Sequence, residues 1–206
     1  MGFLDVSDLS WQPDMEPVLE HIDIQIKKGG FYMILGPNGS GKTSLLRHIM
    51  RVIQSPEKTI MLLDRDIAVY SRRQLAREMS WVPQQIGSSV NFTAYDIVMM
   101  GRTPYLKPLS GVSKEDSEAV RTAMELTHSW HLREKNFATL SGGEAQRVVT
   151  ARAVAQDADI IILDAPVSHL DIRYQKEMME LMSRLNTDFG KTIIAVMHDL
   201  NLAAQY

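Results

Sequence analysis

The stretch GPNGSGKT, residues 36–43, constrains this chain more than any other. It fits G-x-x-x-x-G-K-[ST] and lies between FYMIL (31–35), a continuous apolar run, and TSLLRHIMRVI (43–53). In the latter, Leu46, Ile49, Met50 and Ile53 recur at helical spacing. A strand that stops in glycines and restarts as a helix offers backbone N–H groups that curl around phosphate oxygens, where side chains would obstruct. The helix start adds its partial positive charge. Gly36, Pro37, Asn38, Gly39, Ser40, Gly41 and Ser44 are therefore expected to cradle the phosphates of a nucleotide. Lys42 is expected to reach the β- and γ-phosphates, and the Thr43 hydroxyl to ligate Mg²⁺.

Such a loop needs a sheet behind it. IIIL (160–163) and TIIAVM (192–197) are two more non-alternating apolar runs, with the helical pattern YQKEMMELMSRL between them. VLEHIDIQI (18–26) alternates and reads as a half-buried strand, ended by Gly29–Gly30; FYMIL reads as fully buried. Continuous apolar strands separated by helices predict a parallel α/β core. Short strands with polar turns are expected over roughly 58–84, and helix from Ser113 through about 135, with Asp116 in its first turn. This helical middle is too long for a simple crossover. We read roughly 86–156 as an inserted helical lobe, with 1–85 and 157–206 forming the nucleotide-binding core of a single domain.

In sheets of this class ligands sit at the carboxyl ends of the strands. Those ends carry Gly36 onward, Asp164 and His198. Asp164 is placed to hold Mg²⁺ through water beside the phosphates, and His198 to hydrogen-bond a γ-phosphate or an attacking water. TLSGGEAQRVVTARAVAQDAD (139–159) opens a further helix, with Ser141 as cap and Glu144 completing a capping box. A Ser-Gly-Gly helix start is also an anion site. Residues 36–43 already supply this chain's own phosphate site, so Ser141, Gly142 and Gly143 make sense against the nucleotide of a second copy.

Composition narrows the partners. A chain of 206 residues with 45% apolar and 23% charged residues is an ordinary globular domain. A net charge of −3 argues against a broad nucleic-acid surface. With no Cys there are no disulfides and no thiolate metal sites. The acidic start MGFLDVSDLSWQPD has no apolar signal core, and no run of 18 apolar residues is present, so work at a membrane is expected to go through another subunit.

Taken in order, these segments resemble the ATP-binding subunits of ABC transporters. GPNGSGKT looks like Walker A, LSGGE (140–144) like the signature, IIILD like Walker B, SHLD (168–171) like the D-loop and MHD (197–199) like the switch histidine. The resemblance implies a P-loop NTPase core with a mainly parallel sheet, a small antiparallel β lobe and the helical lobe. It implies ATP and Mg²⁺ as cofactors and a head-to-tail dimer with two ATP molecules, each held between one loop and the partner's Ser141, Gly142, Gly143, Glu144 and Asp171. Gln84 matches the glutamine that contacts Mg²⁺ and senses the permease; Trp11 falls where an aromatic stacks on adenine. Membrane permease subunits become partners, with a periplasmic or surface substrate-binding protein engaged indirectly and no nucleic acid. The expected place is the cytoplasmic face of the membrane, peripherally. TAYDIVMMGRTPYL (93–106) and HDLNLAAQY (198–206) look like the branch importing iron–siderophore complexes, haem or cobalamin.

Two departures stand out. Where the family carries a glutamate after the Walker B aspartate, as candidate general base, this chain has Ala165, with Val167 in place of a threonine. Loss of a general base costs about 10²–10⁴-fold, so ATP binding is expected to persist while hydrolysis weakens. The chain also stops at Tyr206, where family members continue through further strands. An altered or shortened form of an active ATPase is expected in preference to a natural subunit with a degenerate site. The rival readings are a non-hydrolysing ATP-binding regulatory module and a soluble ABC ATPase unconnected with transport.

Overall fold

A computed structural model describes residues 2–84, 91–107, 111–166 and 172–197. Two four-stranded sheets organise it. The first is antiparallel. Its strands β1 (Leu4–Trp11), β2 (Leu19–Ile26), β4 (Ile60–Leu62) and β5 (Arg65–Asp66) lie in the order β2-β1-β4-β5. The second is parallel in all its pairings, in the order β3-β8-β7-β6, from β3 (Phe31–Leu35), β8 (Thr192–Met197), β7 (Ile160–Asp164) and β6 (Met79–Val82).

Burial follows position in the sheet as much as composition. Every residue of β7 and β8 is buried, as the continuous apolar runs predict for interior parallel strands. FYMIL differs from expectation. Each β3 residue is partly exposed, and Leu35 reaches 42%. The reason is that β3 is the edge strand of the described sheet, paired with β8 alone. Helix α1 (Lys42–Ile49) follows the glycine loop and ends before Ile53, the chain turning at Arg51 with φ 53°. The segment 58–84 also contains a helix, α2 (Arg72–Glu78), opened by a complete Ser71–Gln74 capping box.

Among the described residues, three α-helices lie between β6 and β7: α3 (Ala94–Met99), α4 (Lys114–Leu126) and α5 (Gly142–Ala155). Together with α6 (Ile172–Thr187) they cover one face of the parallel sheet, where Val148, Ala151, Leu163, Met179, Met182 and Ala195 join one apolar cluster. The opposite face, with Ile160, Ile162, Ile194 and Val196, packs with α1 against the antiparallel sheet. Ile162 is fully buried, and truncating such a residue to alanine costs about 2–5 kcal/mol. The sheet is thus a rigid two-faced plate whose carboxyl edge is held in register. Leu35 pairs with Met197, Asp164 with Val196, and Val82 with Leu163. Among the described residues no helix is long and apolar enough to cross a membrane.

Candidate nucleotide and metal site

The register fixes what meets at that edge. Leu35 leads into the glycine loop, β7 ends in Asp164, and Val82 leads through Pro83 to Gln84. Glycine is required where the loop turns into α1. Gly39 and Gly41 have φ of 82° and 83°, and a Cβ on Gly41 would come within 2.6 Å of the Val18 carbonyl oxygen. Gly41 is also the N-cap of α1, and no side chain caps that helix start. The loop and first turn line a cleft of about 370 Å³ formed by Val18, Asn38, Gly39, Ser40, Gly41, Lys42, Thr43, Ser44 and Gln84. Gly36 and Pro37 line the adjoining groove beside β2 and β3.

Lys42 is largely buried, at 8% exposure. Its Nζ donates to the carbonyl oxygens of Gly36 (2.8 Å) and Pro37 (2.6 Å) and to Ser40 Oγ (3.3 Å). The loop thereby organises its own cation against oxygen acceptors, the chemistry by which an ammonium takes phosphate oxygens.

Thr43 Oγ1 donates to Asp164 Oδ1 at 3.0 Å, across 121 residues of sequence. Asp164 is 3% exposed. A hydroxyl and a buried carboxylate side by side at a phosphate loop form an oxygen-only pair, which fits a hard divalent cation such as Mg²⁺. Among the described residues no three His, Asp or Glu side chains cluster around a metal position.

Ala165 is 3% exposed and left-handed, with φ 48°, and its N–H donates to the Val196 carbonyl oxygen at 3.1 Å. Trp11 does not line the cleft, but its carbonyl accepts from the N–H of Val18, which does. The Trp11 ring meets His48 edge to face, with centroids 5.3 Å apart and planes at 73°. His48 is buried, with Nδ1 2.8 Å from Ser55 Oγ, and burial pushes its pKa below the ordinary histidine value. His198 and Asp171 lie outside the described residues.

Ser141, Gly142, Gly143 and Glu144 form a separate group at the start of α5, and none of them lines the cleft. Glu144 Oε2 accepts from the Ser141 N–H (2.9 Å) and hydroxyl (2.9 Å), while the Glu144 N–H donates to Ser141 Oγ at 3.4 Å. Lys135 Nζ donates to Glu144 Oε1 at 3.2 Å. The Ser141 donors first, and then Lys135, hold the Glu144 carboxyl down at about 2.

Sequence reasoning missed several contacts around this helix start. Arg147 pairs with Glu177 and lies over the Tyr174 ring at 4.5 Å, and that ring sits where a Cβ on Gly143 would touch it at 3.6 Å. These contacts tie the first turns of α5 to those of α6. Only the capping pattern S-x-x-E is visible in the sequence; Lys135, Arg147 and Tyr174 carry no local signal.

A family model described as ABC transporter matches residues 19–168. The ferric enterobactin transport ATP-binding protein FepC of Escherichia coli (strain K12) is 38% identical over 92% of this chain and 70% of its own length. The achromobactin transport ATP-binding protein CbrD of Dickeya dadantii (strain 3937) is 37% identical over 93% of this chain and 71% of its own. Among solved structures, a dimeric ATP-binding cassette in a post-hydrolysis state, bound to ADP and Pi, superposes with a TM-score of 0.82. The two are 26% identical, over 97% of this chain and 90% of that one.

Proposed function

The chain belongs to the ABC transporter family as an ATPase subunit of that type, and on that premise we propose that it binds Mg-ATP at residues 36–44 and powers a membrane importer. The observation that carries this reading is the contact of Thr43 with buried Asp164 beside the Lys42 loop. When bound, Mg²⁺ supplies charge neutralisation on the phosphates. Thr43, Asp164 and Gln84 are the residues that would hold it. Lys42 and the backbone N–H groups of the loop bind and orient the phosphates, Trp11 takes the adenine, and His198 positions water at the γ-phosphate.

A second copy completes the site in this reading. Ser141, Gly142, Gly143, Glu144 and Asp171 serve the partner's nucleotide, in keeping with the α5 start lying outside the lining of this chain's own cleft. Closure on ATP and reopening after hydrolysis then move the permease, at the cytoplasmic face of the membrane. The core comprises 1–85 and 157–206, and the helical lobe 86–156. The permease seat is the groove bordered by Met50, Val52, Leu75, Trp81 and Met100, beside the 93–106 segment. Relatives named for ferric enterobactin and achromobactin transport support an iron–siderophore complex, or a related metal chelate such as haem or cobalamin, as cargo. Ala165 lowers the hydrolytic rate without changing the class of reaction.

Ser141→Arg tests the arrangement. The single chain should still bind ATP, while ATP-dependent dimerisation in sedimentation is lost. A variant that dimerises normally with ATP refutes the partner role of the α5 start. Co-purification with an integral-membrane subunit tests the transport link, and failure to associate with any membrane subunit refutes it.

A further inference from the structure

Arg51, Arg72 and Arg152 line the groove beside α2, and no acid stands among the described residues that line it. This is a local excess of positive charge in a chain whose net charge is −3. The groove holds about 450 Å³, with Met50, Val52, Trp81 and Met100 on its apolar side. Val52 and Met100 are 54% and 42% exposed. Arg51 Nη1 donates to the carbonyl oxygens of Ile67 and Tyr70, both neutral acceptors. Arg72 is exposed as the first residue of α2. Arg152, in the last turn of α5, is the unusual one. It is half-buried, and burial pushes its pKa below the ordinary arginine value. Arg102 and Arg147, also in the helical lobe, are each paired with a carboxylate. Among the described residues Arg152 has no ion pair.

Both walls of the groove are already fixed to α5. A Cβ on Gly101 would meet the Arg152 carbonyl oxygen at 2.3 Å, so the turn carrying Met100 lies directly on that helix. Gln156 Nε2 donates to the carbonyl oxygens of Ala76 (2.6 Å) and Met79 (2.8 Å), which ties the α2 side to it as well. Those carbonyls are taken, so an occupant there binds through side chains and not by adding a strand. An apolar floor beside an unpaired cation suits an amphipathic helix that carries a carboxylate at the edge of its apolar face. A guanidinium withdrawn from water costs free energy until an anion reaches it. The groove thus favours a partner that brings negative charge over one that is apolar throughout.

We propose that this groove seats an acidic amphipathic helix of the permease, with one carboxylate paired to Arg152 and the apolar face on Trp81 and Met100. The proposal rests on the reading that the chain powers a membrane importer. Arg152 then discriminates among membrane subunits, because a helix with lysine or no charge at that point leaves the guanidinium unpaired or repelled.

The test immobilises the detergent-solubilised membrane subunit that co-purifies with this chain. It reads the association constant at low and high salt, with thermal melting of each free variant alongside. Arg152→Met removes the cation and keeps apolar bulk. The free variant should melt at or above the wild-type temperature, because no ion pair is broken. Its association should weaken by about 30-fold or more, as for one member of a desolvated charge pair. Arg72→Glu reverses an exposed charge at a helix start, where an acid is well tolerated. It should slow association by about threefold to tenfold and shrink its salt dependence. An Arg152→Met protein that melts normally and associates as tightly as wild type overturns the proposal. So does one that melts well below wild type, since Arg152 would then have a partner inside the chain. Undiminished association by Arg72→Glu also counts against a charged seat. Vesicles of equimolar phosphatidylcholine and phosphatidylserine supply the lipid arm: binding to them that needs Arg152, with subunit association unchanged, would assign the groove to headgroups instead. If no membrane subunit is recovered with the wild type, the importer reading fails. If one is recovered and binds Arg152→Met undiminished, only the acidic seat fails.

Discussion

The Lys42 ammonium donates to the carbonyl oxygen of Pro37 at 2.6 Å, folding the side chain back into the loop that precedes it. Lys42 therefore both shapes the loop and supplies its cation. Charge-assisted hydrogen bonds contribute about 1.5–3 kcal/mol each. Lys42→Ala should weaken ATP binding by roughly 100-fold or more on that scale, to the point of abolition in ordinary equilibrium titration. Near-normal affinity in that variant would show that the loop does not hold the nucleotide.

Asp164 makes a separate and smaller prediction. Asp164→Asn retains an oxygen that can accept from Thr43 Oγ1 but loses the negative charge that a divalent cation requires. The variant should melt close to the wild type without ligand, while the extra protection that Mg²⁺ adds to ATP in a thermal-shift assay disappears. Undiminished Mg²⁺ dependence would remove Asp164 from the metal site.

Much of this site is legible in the sequence because it is built from local patterns at strand ends. The glycine loop, the apolar runs that place Asp164, and the Ser141–Glu144 box each declare themselves within a few residues. What stays hidden depends on packing between distant segments. FYMIL and IIILD carry the same continuous apolar signal, yet β3 is half-exposed and β7 buried, because sheet order decides burial and period does not. Reading 58–84 as short strands alone leaves out helix α2, although S-x-x-Q at 71–74 announces it. Lys135 and Glu144 are nine residues apart and Arg147 and Glu177 thirty, so neither pair follows from a helical or strand period.

The buried pair between Arg102 and Asp116 tests the helical lobe without touching the nucleotide site. Arg102 Nε donates to Asp116 Oδ1 at 2.9 Å, with side chains 10% and 9% exposed, and Arg102 Nη1 donates to the Ala155 carbonyl at 2.8 Å. Removing one member of such a pair strands the other's charge and costs about 3–5 kcal/mol. Arg102→Ala should lower the urea midpoint accordingly. A change below about 1 kcal/mol, the range of an exposed pair, would mean that water reaches Asp116 freely.

Glu144 gives a pH signature with a definite sign. Its carboxyl is held at about 2, against an ordinary glutamate value of 4.5, so the folded protein favours the ionised form. The contribution is fully present above about pH 4.5 and is lost as pH falls towards 2. The stability difference between wild type and Glu144→Gln should therefore shrink on acidification through that window, measured by melting temperature. A difference that is flat from about pH 5 to about 2.5 would show that the capping box does not hold the charged form.

Ala165 bears on the chemistry itself. It follows Asp164 directly and is fixed by its N–H to the Val196 carbonyl, in a left-handed conformation that costs alanine roughly 1–2 kcal/mol. The backbone there is set by β8, so a longer side chain inherits the same anchor. Ala165→Glu adds a carboxylate next to Asp164, and the burial of position 165 requires that the carboxylate turn toward the cleft or lower stability. In the first case phosphate release should rise by about 10²-fold or more, the size of a general-base contribution, and the ATP-bound dimer should become transient. His198→Ala in that background should lower turnover again, because both groups act on one water. Melting curves separate the two cases. A protein that melts normally, binds Mg-ATP, dimerises and still releases no additional phosphate would show that position 165 does not supply the base.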